Sequence, residues 1–124
     1  MRNFIIEGKA NLPSVHINEN DGFIEIKGSS AIKNPIDFYL DLVKWIYIFE
    51  LDSAKTRVVN IRLDAIDNSS DRWMFLVIKQ LEKIDSSSAR TIINWFYKMK
   101  RSRIYSIGDK YRSSVSLPFN LVAA

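Results

Sequence analysis

The chain has no cysteine, one histidine, three prolines and four glycines in 124 residues, and each scarcity removes something. Without cysteine there is no disulfide framework, no thiolate metal site and no cysteine nucleophile, a composition at home in a reducing compartment. A zinc site or a His-based triad would have to lean on His16 alone. That residue stands between Val15 and Ile17 in a strand-like run with no companion motif, and it reads as an exposed strand position. Long apolar runs are also lacking. The most hydrophobic segment, residues 36–51, carries Asp37, Asp41, Lys44 and Glu50 and is too short and too charged to span a bilayer. The N-terminal MRNFIIEGK is too short in its apolar part for a secretory signal and is interrupted by Glu7. The expected location is the cytoplasm, with no membrane partner.

What is present suits one domain spanning residues 1–124, since 47% of the residues are apolar and can fill a single core. Asn3–Lys9 and Ser14–Asn18 read as short strands separated at Pro13, and Phe23–Lys27 follows the Asp21-Gly22 turn as the second arm of a hairpin. Gly28-Ser29-Ser30 should end that strand. Asn34 is placed to cap a helix with Pro35 in its first turn. Phe38, Leu42, Trp45, Ile46 and Phe49 form the apolar face of that helix, leaving Tyr39, Tyr47 and Ile48 off it and expected exposed. The run Arg57–Leu63 reads as a central strand buried on both faces. Met74, Val77, Ile78, Leu81 and Ile84 mark a second helix, and Asp85-Ser86-Ser87-Ser88 is a polar loop before a strand over Thr91–Tyr97. A third helix over Ser102–Arg112 and a short strand over Phe119–Val122 complete the chain. The order β-β-β-α-β-α-β-α-β predicts an α/β fold, a mixed sheet with three helices and right-handed crossovers in its parallel part.

The stretch of greatest chemical interest is Asp67-Asn68-Ser69-Ser70, where the central strand gives way to the second helix. Unpaired N–H groups and the helix dipole would stabilise a phosphate on a hydroxyl there. Asn and Ser before an apolar-periodic run are equally ordinary capping residues, each worth about 1 kcal/mol. A second stretch, residues 98–112, holds Lys98, Lys100, Arg101, Arg103, Lys110 and Arg112 against the single acid Asp109, interleaved with Tyr105 and Tyr111. Basic side chains and tyrosines so mixed can bind nucleic acid or, in an adaptor domain, an acidic protein partner. With a net charge of +4 and no binding motif, the preferred reading is a solvated helix face with Ile104, Ile107 and Tyr111 turned to the core. Asp64, Asp67 and Asp71 gather around one loop without histidine or a glycine-rich phosphate loop, so neither catalysis, a metal nor a cofactor is expected.

The segments Asp41–Trp45 with Phe49, Ile61-Arg62-Leu63, Asp67-Asn68-Ser69-Ser70, Trp95-Phe96-Tyr97 and Leu117-Pro118-Phe119 resemble, in order and spacing, the SiaC-type regulatory phosphoproteins. The resemblance implies a fold like the STAS domains of anti-sigma-factor antagonists and no catalysis. It also implies a loop near Asn-Thr-Ser-Ser whose threonine is phosphorylated by a partner kinase and cleared by a phosphatase. Unphosphorylated, such proteins bind and activate a diguanylate cyclase and promote the biofilm state through cyclic-di-GMP.

This chain departs from that pattern at its centre. Asp67 takes the asparagine position and Asn68 the threonine position, with Ser69 and Ser70 matching, so the acceptor hydroxyl is missing. The usual Pro-Glu-Asn before the first helix becomes Ile32-Lys33-Asn34. Either Ser69 has become the acceptor or the protein is locked in the dephosphorylated, partner-binding form. The second is favoured. Kinase alignment is lost with displacements of about 1 Å, while one residue shifts the chain by about 3.3–3.8 Å, and Asp67 and Asp71 would repel an added phosphate. Asp71, Arg72, Lys33 and Asn34 are the expected rim of the partner surface.

Overall fold

The alternating aliphatic runs resolve into six strands and the longer apolar periodicities into three helices. The computed structural model describes residues 3–52, 56–87 and 89–124. The elements are β1 Asn3–Ile6, β2 Ser14–Asn18, β3 Phe23–Ser30, α1 Ile36–Asp52, β4 Arg57–Ile66, α2 Asn68–Ile84, β5 Thr91–Tyr97, α3 Arg103–Ser114 and β6 Phe119–Ala123, in the order read from the sequence. The strands lie side by side in chain order. β1, β2 and β3 pair antiparallel, and β3 to β6 pair parallel. Gly22 turns the β2–β3 hairpin with a φ of 64°, a conformation that favours glycine. The Asn18 and Asp21 side chains bind across the same turn.

α1 packs on α2 and α2 on α3, so the helices share one face of the sheet. Val15, Ile17, Ile24, Ile26, Val59, Ile61, Ile93 and Trp95 point into that covered face and are fully buried. The other face is open. There His16, Glu25, Asn60, Asn94 and Asn120 follow one register row across five strands. Asn94 Nδ2 donates to Asn60 Oδ1 at 3.0 Å and Asn120 Nδ2 to Asn94 Oδ1 at 3.1 Å. β4 is therefore central but covered on one side only: Val59, Ile61 and Leu63 are buried while Arg62 and Asp64 are exposed. The expectation of burial on both faces fails because every crossover helix falls on the same side.

Several boundaries differ from the sequence reading. β3 does not stop at Lys27 but runs to Ser30 through a register shift at Gly28/Ser29, where Gly28 has a φ of 120°. α1 begins at Ile36, with the Pro35 carbonyl accepting from Tyr39 N at 3.1 Å. Pro35 thus takes the capping place that Asn34 was expected to hold. Tyr39, expected exposed, is fully buried. Its ring stacks on Trp73, and its hydroxyl pairs with Ser30 Oγ at 2.5 Å, which satisfies the one polar atom that would oppose burial. Tyr47 is 54% exposed, as expected, with Ile36 and Leu40 also exposed on α1. The side chains of Ile48 and Phe49, and Ser88, lie outside the described residues. Among the described residues no helix is long and apolar enough to cross a membrane.

Candidate functional site

The junction of β4 and α2 is built by one aspartate. Asp67 has extended backbone angles, and its Oδ1 accepts from Ser70 N at 2.8 Å. Its own N–H donates to Ser30 O at 3.0 Å, tying the helix start to the end of β3. The cap is therefore Asp67, and Asn68, Ser69 and Ser70 occupy the first three positions of α2. A carboxylate acceptor next to the positive end of the dipole outcompetes the hydroxyls and carboxamide that follow it. Replacing Asp67 by alanine should lower the unfolding free energy by about 1 kcal/mol, measured by urea denaturation. An unchanged midpoint would mean that Ser70 N finds water equally well.

The first turn of α2 then divides by direction. Asn68 is exposed, and its Oδ1 accepts from Arg103 Nη2 at 2.7 Å while Arg103 Nε donates to Ile66 O at 2.9 Å. Ser69 is exposed. Ser70 is fully buried; its hydroxyl lies close enough to Tyr39 to bear on that phenol's ionisation yet outside hydrogen-bond geometry. Burial pushes the Tyr39 phenol above its ordinary range, opposed by the neighbouring hydroxyls of Ser30 and Ser70 and reinforced by the charge of Asp67. Asp71 accepts from the Tyr111 hydroxyl and forms an ion pair with Lys110 at 3.2 Å. The same hydroxyl donates to Asp71 O at 2.7 Å. Burial, then the hydrogen bond to Asp71 and its charge, raise the Tyr111 phenol strongly, so it is a permanent donor here.

Two stretches that the sequence presents separately thus meet. The basic segment delivers Arg103, Lys110 and Tyr111 to the first turn of α2, while Ile104, Ile107 and Tyr111 face the core as expected. Its other charges disperse. Arg112 pairs with Asp109 at 2.6 Å, Lys98 lies 3.7 Å from Asp64, and Lys100 and Arg101 are exposed in the turn before α3. Arg72 is exposed on α2, and Lys33 and Asn34 are exposed on the β3–α1 loop. No hydrogen bond or ion pair among the described residues joins those three to the turn. Asp64, Asp67 and Asp71 are occupied separately, and among the described residues no group of three potential metal ligands converges.

The family model for SiaC family regulatory phosphoprotein matches residues 6–124. The chain belongs to the SiaC family. SiaC of Pseudomonas aeruginosa superposes with a TM-score of 0.90 at 20% identity, over all of both chains. SiaC in a crystal structure with the diguanylate cyclase SiaD, of which it is the activator, superposes with a TM-score of 0.88 at 21% identity. That match covers 98% of this chain and 99% of the other. An uncharacterised protein of Pseudomonas aeruginosa strain UCBPP-PA14 is 21% identical over 123 residues, covering 99% of this chain and 98% of the relative. The mixed sheet with three helices is thus the fold of the SiaC structures, and the chain is one of a family of regulatory phosphoproteins. Sequence reasoning had no sign of the Arg103–Asn68 and Tyr111–Asp71 contacts, which span 35 and 40 residues.

Proposed function

We propose that this protein is a non-enzymatic cytoplasmic signalling module that binds and activates a diguanylate cyclase, and so promotes cyclic-di-GMP signalling and the biofilm state. Its switch turn is held in the unphosphorylated form. The observation that carries the reading is the environment of Asn68. Where the family places its acceptor threonine, a carboxamide that cannot be phosphorylated is held by the Arg103 guanidinium. Ser70 is sealed in the core, which leaves Ser69 as the one exposed hydroxyl of the turn and the sole point at which a kinase and phosphatase pair would act.

The helical layer that carries Ser69 suits docking. Ile36, Leu40, Val43 and Tyr47 recur at helical spacing on α1, three of them exposed, and Leu76 is 52% exposed seven residues beyond Ser69 on α2. Exposed apolar side chains so aligned mark an interaction surface. Arg72 lies on the same stripe of α2, with Asp71 behind it. Nucleic acid is a poorer partner, because Arg103, Lys110 and Arg112 are already directed at protein acceptors.

Purification from the native cells with site mapping by mass spectrometry should find residues 67–71 unmodified and a cyclase co-purifying. Ser69→Glu should weaken cyclase binding about tenfold or more, since a negative charge must then be desolvated against the partner. Ser69→Ala should bind as the wild type does. Stoichiometric phosphate on Ser69 in cells would overturn the locked reading. A cyclase indifferent to Ser69→Glu would move the docking surface elsewhere.

A further inference from the structure

A cleft of about 460 Å³ lies toward the carboxyl ends of β4 and β5, its wall running from the open face of the sheet round to Ser102 and Ile104 at the start of α3. Its wall includes Lys27, Arg62, Phe96, Tyr97, Lys98 and Met99. Lys27 and Arg62 are register partners on β3 and β4. The Arg62 guanidinium lies 3.6 Å from the centre of the Phe96 ring on the next strand. One face of that planar cation rests on the ring, and the side chain remains 42% exposed, so its other face is offered outward.

The charge is unbalanced. Glu25 stands 3.7 Å from Arg62 and Asp64 3.7 Å from Lys98, both near the outer limit for a pair, the first half-buried and the second exposed to solvent. Lys27 makes no ion pair among the described residues. A stacked guanidinium selects a flat π-system, and flanking ammonium groups select phosphate as point charges. The ligand that carries both within a volume of this size is a nucleotide. We infer that this cleft binds a purine nucleoside phosphate, its base stacked on the Arg62–Phe96 pair and its phosphates beside the base on Lys27. The inference does not rest on the cyclase reading, which is carried by Asn68, Ser69 and the exposed residues of α1 and α2.

ATP, adenosine and tripolyphosphate are the probes, titrated into the full chain and followed by amide NMR shifts. ATP should saturate in the sub-millimolar range with shifts centred on residues 62–64 and 96–102. Adenosine and tripolyphosphate, each carrying half of the recognition, should bind about tenfold or more weakly, the weight of one stacked base or its loss. Arg62→Gln and Lys27→Ala, both at exposed positions, should each weaken ATP about tenfold with melting unchanged, and Lys83→Ala on α2 should do nothing. Tripolyphosphate equal to ATP, or Lys83→Ala equal to Lys27→Ala, would reduce the effect to attraction by a basic protein and overturn the site. Absence of saturation at about ten times that concentration would overturn it too.

Discussion

Replacing Arg57 by alanine should lower the unfolding free energy by about 3 kcal/mol, because two buried carbonyls lose their donor at about 1–3 kcal/mol each. Arg57 opens β4 yet is 1% exposed. Its Nη2 donates to Ile84 O at 2.5 Å and to Ala89 O at 2.9 Å, and its Nε donates to Thr91 Oγ1 at 3.1 Å. Ile84 is the last residue of α2, so a strand residue supplies the cation that completes a helix C-terminus and neutralises its partial charge. Arg57→Lys should recover only part of the loss, since an ammonium cannot present the fixed fork of donors. For a chain of this length the melting temperature should fall by roughly 10 °C, read by circular dichroism. A loss under about 1 kcal/mol would mean that water reaches Ile84 O and Ala89 O once the guanidinium has gone.

The second large effect is expected at Gly108, where alanine would ordinarily stabilise a helix by about 0.5–1 kcal/mol. Here it should destabilise by about 2–3 kcal/mol. A Cβ at this position would press on the indole of Trp95, within 2.8 Å of Cγ and closer still to Cδ1 and Nε1. Trp95 has nowhere to retreat. Its Nε1 donates to Ile104 O at 2.9 Å, Tyr111 meets its face edge-on and Phe119 stacks beside it. Relief would come from lifting α3, which carries Arg103 and Tyr111 to the first turn of α2. Gly108→Ala should therefore also weaken protection of the Asn68–Asp71 amides in hydrogen exchange. A stabilised variant would show that α3 shifts along the sheet without cost.

The runs of β4 and β5 and the apolar faces of α2 and α3 were legible because they depend on local periodicity. Asn68 and Ser69 were legible as a site of interest by their place between a strand and a helix. Three features were not. Choosing Asp67 over its neighbours as the cap depends on backbone angles at one residue. The burial of Tyr39 depends on Ser30, whose position requires β3 to continue through a bulge. The one-sided cover of β4 depends on three crossovers falling together, and Val58-Val59 looks the same in a strand covered on one face as on two. The clamp of Arg103 on Asn68 joins residues from separate crossover units, so neither segment alone announces it.

The carboxamide chain of Asn60, Asn94 and Asn120 bears on how the sheet finds its pairing. Parallel strands meet only after long excursions of the chain, and a slip of one residue would turn every core side chain toward water. On the open face a slip of two residues would keep the apolar pattern intact and would therefore be the more dangerous error. Such a slip separates the three carboxamides and breaks both of their bonds. The row acts as a ruler laid across β4, β5 and β6, rewarding the one alignment in which all three marks coincide.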